Sequence, residues 1–561
     1  MGIHNLIPML SGDMLSRFHK LMNDEVILIS GCDEYGERME RRAYTENISP
    51  QELADTNYTK VKNLLDSFSI DLSVFRRTTD NDHGMFVRKF LINLFNSGLI
   101  EEKYVDSLFC PACDQFIPDV FVLGSCASCG RFDNLNDHYG SISCSANGPI
   151  EFRDSICGIC KSSGVNTPLT RKSAKRWVTK IDKNQVYDMT TWTVLARSET
   201  LKALAQTADW IPVSRSVKWG IPLPFDSSQT LFSWVDSLMG NLTALMIEEK
   251  LRTLGRDTSF IYCMGRDNVP FYSILYPSLL RSLNAEFLAP STIIANHDIC
   301  FDGLPCSKSQ SRTIDLDSAV QLLPADYWRA YLISIFPLRA NADFSPIFFD
   351  DFVRGSLKEL DEYIRNVHEL CVEFGRSERN DVNDCSGTRI SRLASLLTEF
   401  RMHMEGYEFP AAMSLVFRTA AESNVQIKSL RRTDADAAAQ ACSDFLRELF
   451  VLNSLISVFM PETSKNIMAA FGFRSENPSL DELYKEDFYW QIEDRSCVDF
   501  FPDIGLEKAM TKIRDMVVAI EFGNGIDYTA DKHPVRIKWD ACNCETWHQA
   551  SAVVDDAAKP K

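Results

Sequence analysis

Cysteine spacing is the chemistry most plainly written into this chain. Cys110-x2-Cys113, Cys126-x2-Cys129, Cys144 and Cys157-x2-Cys160 all fall between positions 110 and 160. Thiolates two residues apart in a tight turn can face one ion, and Zn²⁺ closes a structural tetrahedral site with four of them. Three CxxC pairs in so short a stretch predict a zinc-stapled module. A second candidate is the polar loop Ser30-Gly31-Cys32-Asp33-Glu34-Tyr35-Gly36, which follows an apolar run from Val26 to Ile29. That run reads as a buried parallel strand, and in open α/β sheets ligands sit at the carboxyl ends of strands. A carboxylate placed there can hold a cationic group by a charge-assisted hydrogen bond, although capping a helix is the competing use of Asp33.

The elements that must position these groups follow from periodicity. Residues 13–22 have a helical repeat through Met14, Leu15, Phe18, Leu21 and Met22, and further helices are predicted at about 50–69 and 83–99. Residues 100–212 hold the cysteines within mixed structure. The α/β pattern resumes at Trp219-Gly220-Ile221-Pro222-Leu223-Pro224 and runs through Ile261 to Asp267. From about 314 to 522 the chain reads as amphipathic helix, broken near Asn380 to Gly387 and Glu476 to Ser479. The end of the chain, Ala-Lys-Pro-Lys included, reads as irregular and loose.

Bulk charge limits the partners. With 59 Lys and Arg against 77 Asp and Glu, the net charge is −18, which excludes a protein that coats nucleic acid by charge, so no DNA partner is expected. Arg76-Arg77, Arg171 to Arg176 and Lys428 to Arg432 are local basic clusters, a pattern that by default marks a solvated face. No apolar run has the length of a membrane span and no charged-then-apolar leader opens the chain, so no membrane partner is expected. The 17 cysteines therefore read as reduced thiols and metal ligands in a cytoplasmic protein.

Further stations occur in a fixed order along the chain. They are Gly31 to Gly36, Phe75-Arg76-Arg77-Thr78-Thr79, the cysteine knuckles around Asp119-Val120-Phe121-Val122, Arg215-x3-Trp219-Gly220 and Trp234-Val235-Asp236. Gly265-Arg266-Asp267-Asn268-Val269-Pro270-Phe271, Ser307-Lys308-Ser309 and Tyr327-Trp328-Arg329 follow. In this collinear series the chain resembles the methionyl-tRNA synthetases, class I aminoacyl-tRNA synthetases, over essentially its whole length. The resemblance implies an α/β fold: a Rossmann-type catalytic domain in two halves, 1–99 and 213–312, split by a zinc-knuckle insertion at 100–212. It also implies a linking subdomain at 313–355, an all-α helical bundle of anticodon-binding type at 356–480, and a C-terminal helix and tail at 481–561.

The activity implied is activation of an amino acid by Mg²⁺-dependent ATP to an aminoacyl-adenylate, followed by transfer to tRNA. Lys308, flanked by Ser307 and Ser309, is then the cation for the leaving pyrophosphate, with His4 as the last position of the ATP-contacting HIGH motif. Asp33 aligns with the carboxylate that holds the substrate ammonium. Trp234, Ser237, Asn241, Asn268 and Tyr272 align with the amino-acid pocket, and Gly265, Arg266 and Asp267 with the nucleotide-facing station. The knuckles nest, so that Cys110, Cys113, Cys157 and Cys160 make one closed structural zinc site. An inner site has Cys126, Cys129 and Cys144, with Asn147 where a fourth cysteine is expected, so that either His138 substitutes or the site is empty.

Departures from the family pattern fall in functional places. Met1 stands where the first HIGH histidine belongs, and the first strand, central in the family's sheet, has no counterpart. That implies either a late start or a sheet lacking a central strand, with unpaired backbone on its neighbours. Pro305 replaces the first lysine of the KMSKS loop and stiffens it. Asn241 and Tyr272 replace a tyrosine and a histidine, and Ser237-Leu238 also differ. No tryptophan lies between Trp328 and Trp490, so the Pro-Trp that stacks on the anticodon is missing from Asn424 to Arg432. Two alternatives follow: a paralogue that passes the activated amino acid to an acceptor other than tRNA, and a non-catalytic interaction protein on a synthetase scaffold.

Overall fold

Leu6, Ile7, Leu10, Met14 and Phe18 recur at three- and four-residue spacing and build the N-terminal helix, Leu6–Leu21. It starts ahead of the predicted position 13 because Leu6, Ile7 and Leu10 extend the same buried stripe. The computed structural model describes residues 1–117, 121–126, 132–134, 152–162, 164–181, 188–206, 210–247, 258–283, 285–301, 303–306, 313–375, 379–381, 385–430, 434–474, 480, 483–485, 487–492, 500–501 and 506–522. The helices predicted near 50–69 and 83–99 are Pro50–Ser67 and Asn81–Asn96. Ser49 caps the first of them in a reciprocal box with Glu52.

Four of the parallel strands form two separate ribbons. Strand Ile29–Cys32 pairs with Val74–Arg77, Ile29 opposite Val74, and strand Ile261–Gly265 pairs with Thr292–Asn296, Ile261 opposite Thr292. The first strand lies nearer the carboxyl side than the expected Val26 to Ile29. Its partner begins only at Val74, and the Leu28 carbonyl already accepts from Ser73 N at 2.9 Å as the ladder opens. The insert is built on an antiparallel pair, Ile100–Cys110 with Thr170–Lys180, flanked by Gln115–Phe116 and Trp210–Pro212.

Helices dominate the rest. Lys358–Phe374, Gly387–Glu405, Phe409–Ser429 and Ala435–Phe459 form the bundle, and the last is buried over most of its second half, Arg447, Glu448 and Asn453 included, as a central core helix is. One hydrophobic core joins the N-terminal helix to this bundle, and a second lies under Asn81–Asn96 and Ser233–Ile247. The fold is thus mixed α/β with a helical C-terminal part, as the sequence predicts. Among the described residues no helix is long and apolar enough to cross a membrane.

Arg329, fully buried on helix Ala325–Ser334, ties the two parts together. Its Nη2 lies 2.6 Å from Asp13 Oδ2 on the N-terminal helix, Nη1 donates to Phe68 O at 2.9 Å, and Nε donates to Phe459 O at 2.8 Å. Several residues of the basic clusters form ion pairs within the chain. Arg77 pairs with Glu34 and Asp55, Arg171 with Asp106, and Lys428 with Glu362. Asn424 to Ser429 is the last stretch of helix Phe409–Ser429, and Asn424 is buried there against Asn366 at 2.6 Å.

Candidate active site

The two ribbons do not pair with each other, and a cavity of about 830 Å³ lies between them. Its walls are Ile27 to Asp33 on one side and Phe260 to Gly265 on the other, and Met9 and Gly12 of the N-terminal helix also line it. Asp33 follows strand Ile29–Cys32 and opens into this space. Its side chain is exposed to the cavity although protein surrounds it on other sides. That enclosure and the neighbouring Asp236 push its carboxyl well above the ordinary aspartate value of 3.8, against a backbone hydrogen bond from Tyr35 that lowers it.

The loop that presents Asp33 is held by its neighbours. Glu34 is buried, bonded to Arg77 Nε at 2.7 Å, and its amide donates to Thr78 Oγ1 at 3.1 Å. Trp219 Nε1 donates to the Glu34 carbonyl at 2.6 Å, and the Gly36 amide donates to Trp219 O at 3.1 Å. Gly36 sits at φ 105°, where a Cβ would come within 2.9 Å of Ser233, so glycine is required at this turn.

Helix Ser233–Ile247 contributes Ser237 and Asn241 to the cavity wall, and the following segment contributes Gly265, Asn268 and Tyr272. Asn241 Nδ2 donates to Tyr272 Oη at 2.7 Å, and burial pushes the Tyr272 phenol up to about 12, so it stays neutral. Trp234 is not part of this lining. It is 37% exposed and stacks on Phe271 with ring centres 4.1 Å apart. Arg266 and Asp267 lie beyond the cavity lining at the end of strand Ile261–Gly265, where Arg266 Nη2 donates to Glu199 Oε1 at 3.0 Å and Asp267 is exposed. His4 Nδ1 meets Thr313 Oγ1 at 3.1 Å. Ser307, Lys308 and Ser309 lie outside the described residues, as do Cys129, Cys144 and the side chain of Cys126.

One cluster beside the cavity was not singled out from the sequence. His83, 1% exposed, puts Nε2 at 2.9 Å from Asp236 Oδ1 and Nδ1 at 3.0 Å from Thr243 Oγ1. The Thr243 hydroxyl already donates to Met239 O at 2.7 Å, and it has one proton to give. It therefore accepts from Nδ1, and the Nε2–Asp236 contact holds one proton whichever atom carries it. The available signal was that His83 stands four residues before Val87 on the helix face that also carries Phe90, Leu91 and Leu94.

Cys110, Cys113, Cys157 and Cys160 converge, all four sulfurs lying within 4.8 Å of one another. Measured pairs are 3.6 Å for Cys110–Cys160, 3.2 Å for Cys113–Cys160 and 3.8 Å for Cys113–Cys157. A tetrahedron with Zn–S bonds of about 2.3 Å has sulfur–sulfur edges of about 3.8 Å, so the donor set fits that ion. Gly158 lets the second knuckle turn against Phe121, whose carbonyl would lie 2.8 Å from an added Cβ. Cys157→Ser is expected to lower bound zinc by about one ion per chain and to loosen the insert. Atomic absorption and limited proteolysis check this, and unchanged zinc content would refute the four-thiol set.

The family described as tRNA synthetases class I (M) matches residues 1–370 of the chain. The chain belongs to the methionyl-tRNA synthetase family. Methionine–tRNA ligase of Korarchaeum cryptofilum is 31% identical over 388 residues, covering 66% of this chain and 67% of that protein. The Thermofilum pendens methionine–tRNA ligase is 26% identical over 503 residues, 84% of this chain and 87% of its own. In structure the chain is similar to Mycobacterium tuberculosis methionyl-tRNA synthetase bound by methionyl-adenylate, with a TM-score of 0.69 over 90% of this chain and 97% of that one. Identity there is 17%, so that likeness speaks for the synthetase fold alone.

Proposed function

We propose that the chain activates methionine with ATP and transfers it to tRNA. The observation that carries this reading is Asp33, a carboxylate opening into a cavity at the carboxyl end of a parallel ribbon, in a chain of the methionyl-tRNA synthetase family. Asp33 holds the substrate ammonium, and Ser237, Asn241, Asn268 and Tyr272 enclose the side chain. Gly265, Arg266 and Asp267 face the nucleotide, which enters with Mg²⁺. In activation the amino-acid carboxylate attacks the α-phosphorus, the bond to the bridging oxygen breaks, and pyrophosphate leaves. His4, Ser307, Lys308 and Ser309 serve the phosphates during that step, where the protein supplies positioning and charge. A tRNA hydroxyl then attacks the acyl carbon and AMP departs. Cys110, Cys113, Cys157 and Cys160 hold a structural zinc, since four protein ligands leave no position for substrate.

Methionine-driven ATP–pyrophosphate exchange tests the first half and charging of tRNA(Met) the second. Exchange without charging would leave the non-tRNA acceptor, which the internal use of Asn424 and Lys428 favours. No exchange with any amino acid would leave the scaffold protein. Lys308→Ala is expected to slow exchange by about 10²–10³-fold, the usual loss for one charge-stabilising donor, with an unchanged melting temperature. A normal rate in that variant would remove Lys308 from the reaction.

A further inference from the structure

Helices Lys358–Phe374 and Ala435–Phe459 pack together in the bundle, and at their contact Cys371 Sγ and Cys442 Sγ lie 3.6 Å apart. Both thiols are buried, 4% and 3% exposed. Neither belongs to a CxxC pair, and among the described residues the cysteine cluster that could hold a metal lies elsewhere, in the insert. A disulfide has its sulfurs about 2.0 Å apart, so they need to approach by about 1.6 Å, a small adjustment for two side chains that already face each other. The two sulfurs are also unequal. The contact with Cys371 holds Cys442 below its ordinary value, while burial pushes Cys371 well above it. Cys442 is therefore the better nucleophile of the two.

We propose that Cys371 and Cys442 are a modification site, a thiol pair that hydrogen peroxide converts into a reversible disulfide stapling these two helices. The Cys442 sulfur attacks a peroxide oxygen, the O–O bond breaks, and a sulfenic acid and one water result. The Cys371 sulfur then attacks the Cys442 sulfur, and hydroxide leaves with the Cys371 proton as a second water. Two thiols lose two electrons and one peroxide is reduced to two waters.

The bridge would join residues 71 apart and fix more than its own two helices. Helix Lys358–Phe374 also carries Glu362 and Asn366, which hold Lys428 and Asn424 of helix Phe409–Ser429. Oxidation is thus expected to rigidify the bundle while leaving the cavity between the ribbons untouched.

The test treats the full chain with hydrogen peroxide and maps linked peptides under non-reducing conditions. A Cys371–Cys442 peptide is expected, with a rise in melting temperature of about 5 °C or more that dithiothreitol reverses. Neither change is expected in Cys442→Ala or in Cys371→Ala, whereas oxidation of the four-cysteine cluster would persist in both. Sulfinic or sulfonic acids at the two positions without a link would overturn the proposal. So would a Cys442 link to Cys385, or a link that leaves the melting temperature unchanged.

Discussion

Asp33→Asn is expected to weaken methionine-dependent exchange by roughly thirty- to several-thousand-fold, the range for removing one partner of an enclosed charge pair at about 2–5 kcal/mol. The carboxamide keeps the shape of the side chain but has no charge to set against an ammonium. Because the native carboxylate opens into the cavity and makes no ion pair there among the described residues, the fold has little to lose. Stability should respond in the opposite direction from activity. The folded protein holds the Asp33 proton to higher pH than the unfolded chain does, since its carboxyl lies well above 3.8. Where the folded state binds more protons, stability falls as pH rises, so the parent loses stability upward from the ordinary aspartate value through the raised one. The variant lacks that loss. Its melting temperature relative to the parent should therefore climb as pH rises above the ordinary aspartate value, and a difference that shrinks with pH would contradict the assignment.

Arg329→Met is expected to cost about 3–5 kcal/mol, the usual penalty for removing one partner of a buried ion pair. The guanidinium serves Asp13 and the carbonyls of Phe68 and Phe459 at once, from a fully buried position. Without it Asp13 keeps Arg17 Nε at 2.9 Å and the Asp71 amide at 3.0 Å, but two buried carbonyls are left with no donor from this side chain. Methionine fills the space and supplies none of the bonds. Arg329→Lys should recover only part of the loss, because a single ammonium cannot reproduce a planar fork reaching three directions. Urea unfolding measures both variants. The damage should appear first as separation of the N-terminal helix from helix Ala435–Phe459, visible as early proteolysis before position 24. A midpoint within error of the parent would show that the network is not what joins the two parts.

What the amino-acid order determined by itself was whatever depends on neighbours a few residues away. CxxC spacing makes each knuckle a local turn and so predicted a zinc-stapled module, while the joining of Cys110 and Cys113 with Cys157 and Cys160 was implied only by the family resemblance. Helices such as Pro50–Ser67 and Asn81–Asn96 follow from apolar repeats and caps within one or two turns. The ligand loop around Asp33 followed from a strand ending in polar residues. Tertiary structure decided the rest. His83 and Asp236 are 153 residues apart and Asp13 and Arg329 are 316 apart. Each member alone looks like an ordinary surface residue, and only packing brings the pair into a water-poor space where it must be satisfied. The strand register at Ile29, the outward place of Trp234 and the separation of the two ribbons were likewise settled by which backbone edges found partners, and local composition does not encode that.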